Sequence, residues 1–183
     1  MKLYFSKGAC SLAVRITLNE LGIACGYESV DLKTKQTASG EDFLKINPKG
    51  AVPALQLDDL SVLTENAAIQ QYLADSKKAD KIFPPVGHMH RYHVIEWLNY
   101  VATDLHKGCG IFFNTAIPDQ LKDDFFRPML VSKLKFVEQQ LAKNAYIAGD
   151  EFTLPDSYLF VILSWLPFAK INIIDFPHTA KYF

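Results

Sequence analysis

The stretch Leu3-Tyr4-Phe5-Ser6-Lys7-Gly8-Ala9-Cys10-Ser11 decides how the first part of the chain folds. Leu3, Tyr4 and Phe5 are apolar and partly aromatic, the composition of a short strand. A small-residue connection follows, and from Ser11 the apolar positions Val14, Leu18 and Leu21 recur at helical spacing until Gly22, a helix stop. The pattern predicts a strand over residues 3–6 and a helix over residues 11–21. Cys10 then falls at a helix N-terminus, where unpaired backbone N–H groups and the positive end of the dipole favour thiolate over thiol. A lone cysteine is equally an ordinary small buried hydrophobe, and its position alone does not choose between the two.

Outward from this stretch, residues 27–32 have the β-branched and aromatic content of a second strand. Residues 54–57 and 61–63 flank the turn signal Asp58-Asp59 and read as a hairpin. A helix is predicted over residues 66–75 with Ile69, Tyr72 and Leu73 turned inward. Strands alternating with helices in this way predict an α/β domain with a mixed sheet over residues 1–77.

Residues 78–87 read as a linker, in a Lys-, Pro- and Gly-rich tract that includes Lys78, Lys81, Pro84, Pro85 and Gly87. Residues 88–183 read as all-helical. Val94, Leu98, Val101 and Leu105 mark one long helix over about residues 88–113. Phe126, Leu130, Leu134, Val137 and Leu141 mark a second over about 119–143, which Pro128 is expected to kink or divide. A third opens at Thr153-Leu154-Pro155-Asp156, with an N-cap residue, a proline just inside and an acid in the first turn.

The formal charge of −1 offers no long-range attraction to nucleic acid or anionic membrane, and no basic run is interleaved with aromatics. No apolar run reaches the roughly 18 residues of a membrane span, and no secretory leader pattern opens the sequence. The three cysteines are dispersed without a Cys-x-x-Cys pair, which fits a reducing cytoplasm. His90 and His93 stand three residues apart with no third ligand at suitable spacing, so no metal site is expected.

Five segments, in their order and spacing, resemble a soluble glutathione S-transferase: Gly8-Ala9-Cys10-Ser11-Leu12, Asn47-Pro48-Lys49-Gly50-Ala51-Val52-Pro53-Ala54-Leu55, Leu63-Thr64-Glu65-Asn66-Ala67-Ala68-Ile69, Asn99 with His106, and Gly149 to Asp156. The similarity is to the bacterial, beta-class branch, which carries cysteine where other classes use tyrosine or serine. It implies a thioredoxin-like N-terminal domain followed by an all-α C-terminal domain. Members of that branch usually continue past the equivalent of Phe183, which implies a shortened last helix here, and Asn66 stands where serine is commoner.

The resemblance also implies a chemistry. Glutathione would be a co-substrate, with no other cofactor, and its thiol would be conjugated to a hydrophobic electrophile by a homodimeric enzyme. Cys10 and His106 would be catalytic. Val52, beside a cis Pro53, would meet the ligand's cysteinyl backbone, Lys35 its glycyl carboxylate, and Glu65 with Asn66 its ammonium and α-carboxylate. Asn99, Thr103, Asp104 and Leu105 would complete the contacts. Asn99, Thr103 and His106 fall at i, i+4 and i+7, one stripe of a regular helix. Two alternatives use the same scaffold: a monothiol glutathione-dependent disulfide oxidoreductase, and a non-catalytic binding module.

Overall fold

The computed structural model describes residues 1–183 as two units, Met1–Asp80 and Lys81–Phe183. The first is built on a five-stranded sheet in the order β3-β2-β1-β4-β5. Strand β1 (Lys2–Phe5) pairs parallel with β2 (Gly26–Asp31) and antiparallel with β4 (Ala54–Gln56). Strands β4 and β5 (Val62–Thr64) form the expected hairpin. Strand β3 (Gln36–Thr37), which periodicity did not reveal, adds to the far edge.

Successive residues of a strand face opposite sides of the sheet, and β1 uses both. Leu3 packs with Leu55 and with Val14 and Leu18 of α1 (Ser11–Glu20) and Ile69 and Leu73 of α3 (Asn66–Ser76). Tyr4 faces the other way, onto Val30, Val52, Ala54 and Phe43 of the single turn α2 (Phe43–Ile46). Tyr72 departs from expectation: it is exposed, and Gln70 takes the inward position instead. The i, i+3, i+4 set Asn66, Ile69, Gln70, Leu73 is the buried stripe, and Tyr72 lies off it.

In the second unit, α4 (Met89–Tyr100) continues without a break through a π-helical turn over Val101–His106, then α5 (Lys107–Gly110) and a 3₁₀ turn over Ile111–Phe113. The predicted stripe Val94, Leu98, Val101 and Leu105 is fully buried. After α6 (Asp119–Leu121), a second π turn over Lys122–Phe126 leads into α7 (Arg127–Leu141), which buries Leu130, Leu134, Val137 and Leu141. Phe126 is only half-buried, whereas Lys122 is buried. Pro128 does not divide the helix: it comes just after the π turn, so the altered winding lies ahead of the proline and the helix runs on. Helix α8 (Leu154–Leu163) packs on α4 and on the first π turn, and α9 (Pro177–Tyr182) packs on α7. No helix is long and apolar enough to cross a membrane.

The expected N-cap of α8 is a full capping box: Thr153 and Asp156 exchange side-chain and backbone bonds. Asp156 also accepts from the Ile147 N–H and the Tyr182 hydroxyl. Burial pushes its carboxyl above the ordinary carboxylate range, and these donors pull it back.

Candidate functional site

In the first unit, the loop ahead of α1 is closed by Ser11, whose hydroxyl accepts from the Ser6 N–H and donates to the Ser6 carbonyl. Cys10 occupies the N-cap position of α1 and is 8% exposed. Its Sγ does not cap the helix. It donates instead to the Val52 carbonyl at 3.3 Å. The thiol is thus turned from the helix N–H groups on which its sequence position drew attention, because Val52 supplies an acceptor on the adjoining loop.

The Val52–Pro53 peptide is cis. Asn47, itself buried, fixes the loop before it by donating to the Ala51 carbonyl at 2.7 Å and accepting from the Lys49 N–H. Lys35 arrives from the β2–β3 turn, which Asp31 shapes by accepting from the Lys33 and Thr34 N–H groups. Its Nζ is half-buried and donates to the Gly50 carbonyl at 2.8 Å. Gly50 adopts φ +60°, and a Cβ there would lie 3.3 Å from the Lys35 stem and 3.1 Å from Leu44, so glycine permits the close approach.

Glu65 and Asn66 stand at the start of α3. Glu65 takes φ +71° and leaves the cap unfilled by its side chain. Its carboxylate accepts from Lys49 Nζ at 2.6 Å, and Lys49 also donates to Thr64. Asn66 is 5% exposed, and its amide is committed within the protein. Nδ2 donates to the Cys10 carbonyl at 2.7 Å, while Oδ1 accepts from Gln70 Nε2 at 2.7 Å. Gln70 in turn accepts from the Thr17 hydroxyl at 3.1 Å. The sequence reading missed Lys49, Gln70 and Thr17. A glutamine within the apolar stripe of α3 was the available signal for one of them.

In the second unit, the residues of the expected stripe differ in exposure. Asn99 and Thr103 are exposed, with Thr103 Oγ1 donating to the Asn99 carbonyl and to Asp104. His106 is half-buried, with Nδ1 2.5 Å from the Tyr158 hydroxyl and its ring edge-on to Trp165. The π turn over Val101–His106 follows Asn99 and ends on His106, and Leu98 ahead of it and Leu105 within it both stay in the core. Leu105, expected to contact the ligand, is instead fully buried in the core, where an apolar side chain on the inner face of the helix belongs. The Asp104 carboxylate pairs with Lys133 at 3.0 Å, which holds it below the usual carboxylate range. Tyr158, the buried partner of His106, was also missed. A tyrosine inside the apolar run of α8 was the cue, since a buried phenol needs a partner.

Burial pushes the Cys109 thiol up to about 12, and burial together with Asp104 does the same for the Tyr100 phenol. No group of three or more His, Cys, Asp or Glu side chains is arranged to hold a metal ion.

Residues 8–76 match the family model of the glutathione S-transferase N-terminal domain, and residues 111–183 match that of the C-terminal domain. The chain belongs to the glutathione S-transferase family, a family of transferases. It is 45% identical over 182 residues to glutathione S-transferase GstA of Escherichia coli O157:H7, covering 100% of this chain and 90% of that one. Among solved structures, it resembles a bacterial glutathione S-transferase, BphK, in a ternary complex, with a TM-score of 0.95 at 42% identity over 100% of this chain and 90% of that one. A beta-class enzyme of Sphingomonas chungbukensis aligns with a TM-score of 0.94 at 38% identity, with the same coverage. A sphingomonad glutathione S-transferase complexed with glutathione aligns with a TM-score of 0.94 at 37% identity, again covering 100% and 90%.

Proposed function

We infer that the chain conjugates the glutathione thiol to hydrophobic electrophiles: a sulfur–carbon bond forms as the electrophile's leaving group or π-electron pair departs. One observation carries this reading: Cys10 Sγ, the cis Val52–Pro53 backbone and Lys35 Nζ all meet the single loop 47–53. That loop offers a peptide ligand backbone groups, a cation for a carboxylate and a thiol for its sulfur. A ligand amide that takes the Val52 carbonyl competes with the Cys10 thiol for it. The displaced S–H then serves as donor to the ligand's sulfur, whose thiolate is the nucleophile.

Lys35 keeps two further N–H groups for the glycyl carboxylate. Glu65 would receive the ligand's ammonium beside or in place of Lys49. With its amide bonded to Cys10 and Gln70, Asn66 would offer its backbone N–H to the α-carboxylate. In the second unit, His106, with Asn99, Thr103 and Asp104, would serve the second substrate. A cytoplasmic homodimer accords with the composition and the family.

The buried, hydrogen-bonded thiol favours a donor role for Cys10 over direct attack on a disulfide. Retention on immobilised glutathione, with turnover of Cys10→Ser and Cys10→Ala against electrophiles and mixed disulfides, tests this. Expected are binding by all three forms, conjugation that survives in Cys10→Ser, and greater loss in Cys10→Ala. A wild-type chain that ignores the tripeptide refutes the transferase. Loss of disulfide reduction alone in Cys10→Ser makes the protein a monothiol reductase instead.

A further inference from the structure

Within the second unit, α4 and α7 line a pocket of about 400 Å³. Its wall is aromatic. Trp97 and Phe136 stack at 5.4 Å with their planes 20° apart, and Tyr100 stands edge-on to each of them at 5.4 Å. The protein covers other rings with its own cations, Arg91 over Phe83 and Arg15 over Tyr27, but no lysine or arginine lies over these three. The lining holds one carboxylate, Glu96, and no lysine or arginine. Glu96 meets only His93, at 3.1 Å, and its side chain stays 70% exposed. Trp97 is 7% exposed, yet its indole N–H donates to no group of the protein and is not sealed from solvent. A tryptophan buried that deeply ordinarily finds a partner for this donor. Gln140, on the same wall, donates its amide to the Ile147 carbonyl at 3.1 Å and keeps Oε1 as an acceptor.

We propose that this pocket binds a small organic cation, a quaternary ammonium ion that carries a carbonyl or similar acceptor. Aromatic rings attract such an ion electrostatically, and it loses little hydration because it has no N–H groups of its own. Glu96 balances its charge, and the Trp97 N–H donates to its acceptor oxygen. An organic anion meets repulsion from the carboxylate and from the negative ring faces. A purely apolar occupant leaves Glu96 and the Trp97 N–H desolvated without partners, at a cost. The volume is that of a small-molecule site. The inference stands apart from the transferase reading, since none of these residues is assigned there to glutathione or to the electrophile.

Calorimetric titration of the full chain with acetylcholine, and with its neutral isostere 3,3-dimethylbutyl acetate, tests the proposal. Saturable binding of acetylcholine is expected, with the neutral ester weaker by about tenfold. Glu96→Gln removes the charge at an exposed position and should weaken acetylcholine about fivefold. Trp97→Phe keeps a ring but removes the donor, with an expected loss of about fivefold. Should Trp97→Phe fail to fold, the two esters and Glu96→Gln still decide the matter. Equal affinity for the two esters overturns the proposal and makes the pocket merely apolar. Affinity unchanged in both variants overturns it too, because the cation then sits elsewhere. So does an absence of saturable binding, and loss of self-association in Glu96→Arg would then assign this face to a second copy of the chain.

Discussion

Asn66 and Cys10 lie far apart in sequence but are joined by a 2.7 Å bond from the Asn66 amide to the Cys10 carbonyl. The Cys10 acceptor dictates which way the Asn66 amide faces. That leaves Oδ1 for Gln70 Nε2 and turns Gln70 Oε1 to the Thr17 hydroxyl. One carbonyl at the tip of α1 orients three buried side chains. Asn66→Ala is expected to lower unfolding free energy by ~1–3 kcal/mol, because it removes the buried amide that bonds both the Cys10 carbonyl and Gln70 Nε2. Urea unfolding measures this, and an unchanged midpoint would show that water fills the gap.

Glu65 meets Lys49 on the surface, where an ion pair contributes little to stability. Lys49→Ala is expected to leave the thermal midpoint unchanged and to preserve or tighten glutathione binding, since Lys49 no longer competes with the ligand's ammonium for the carboxylate. Glu65→Gln should weaken binding about tenfold, the loss of a charge-assisted contact. Calorimetric titration of both variants decides it, and equal weakening in the two would make the pair itself the recognition element.

Glu138 on α7 reaches the start of α9. Partial burial raises its carboxyl, but the His178 and Thr179 N–H groups and the Thr179 hydroxyl more than offset this, so it titrates below its ordinary value of 4.5. The charged form is thus favoured in the folded protein, and its contribution is present above pH 4.5 and lost as pH falls through the lower folded value. Glu138→Gln should cost ~1 kcal/mol near neutrality and nothing in strong acid. Unfolding curves at the two extremes check the sign.

The three cysteines should separate on alkylation. Cys109 is 2% exposed and its thiol is pushed up to about 12, so iodoacetamide should leave it untouched until the protein unfolds. Cys25 is half-exposed, yet burial raises its thiol as well, so it should react slowly and faster at alkaline pH. Peptide mass mapping after timed quenching gives the order, and early labelling of Cys109 would contradict the core packing.

The features legible in the sequence were local or periodic. The α1 face, the β4–β5 hairpin, the buried stripe of the long helix and the Thr153–Asp156 box all depend on neighbours within a turn or two. Strand β3 is two residues long and exists because Asp31 folds the preceding turn, so it carries no period to detect. Tyr72 misleads because an aromatic beside Leu73 looks like core, although the i, i+4 step from Asn66 leads to Gln70. The candidate site was half legible. Cys10, Lys35 and Asn66 were singled out by type and place, whereas the contacts they make with Val52, Gly50 and Gln70 arise from tertiary approach.

The π turn at Val101–His106 ends on His106, which Tyr158 holds from the neighbouring helix, while Asn99 ahead of it and Thr103 within it face solvent. Those two surface positions can therefore be exchanged without touching the contact between His106 and Tyr158. Conversely, removing a single residue between Val101 and His106 would re-time the helix and swing the imidazole off its anchor, a small deletion with a large functional reach.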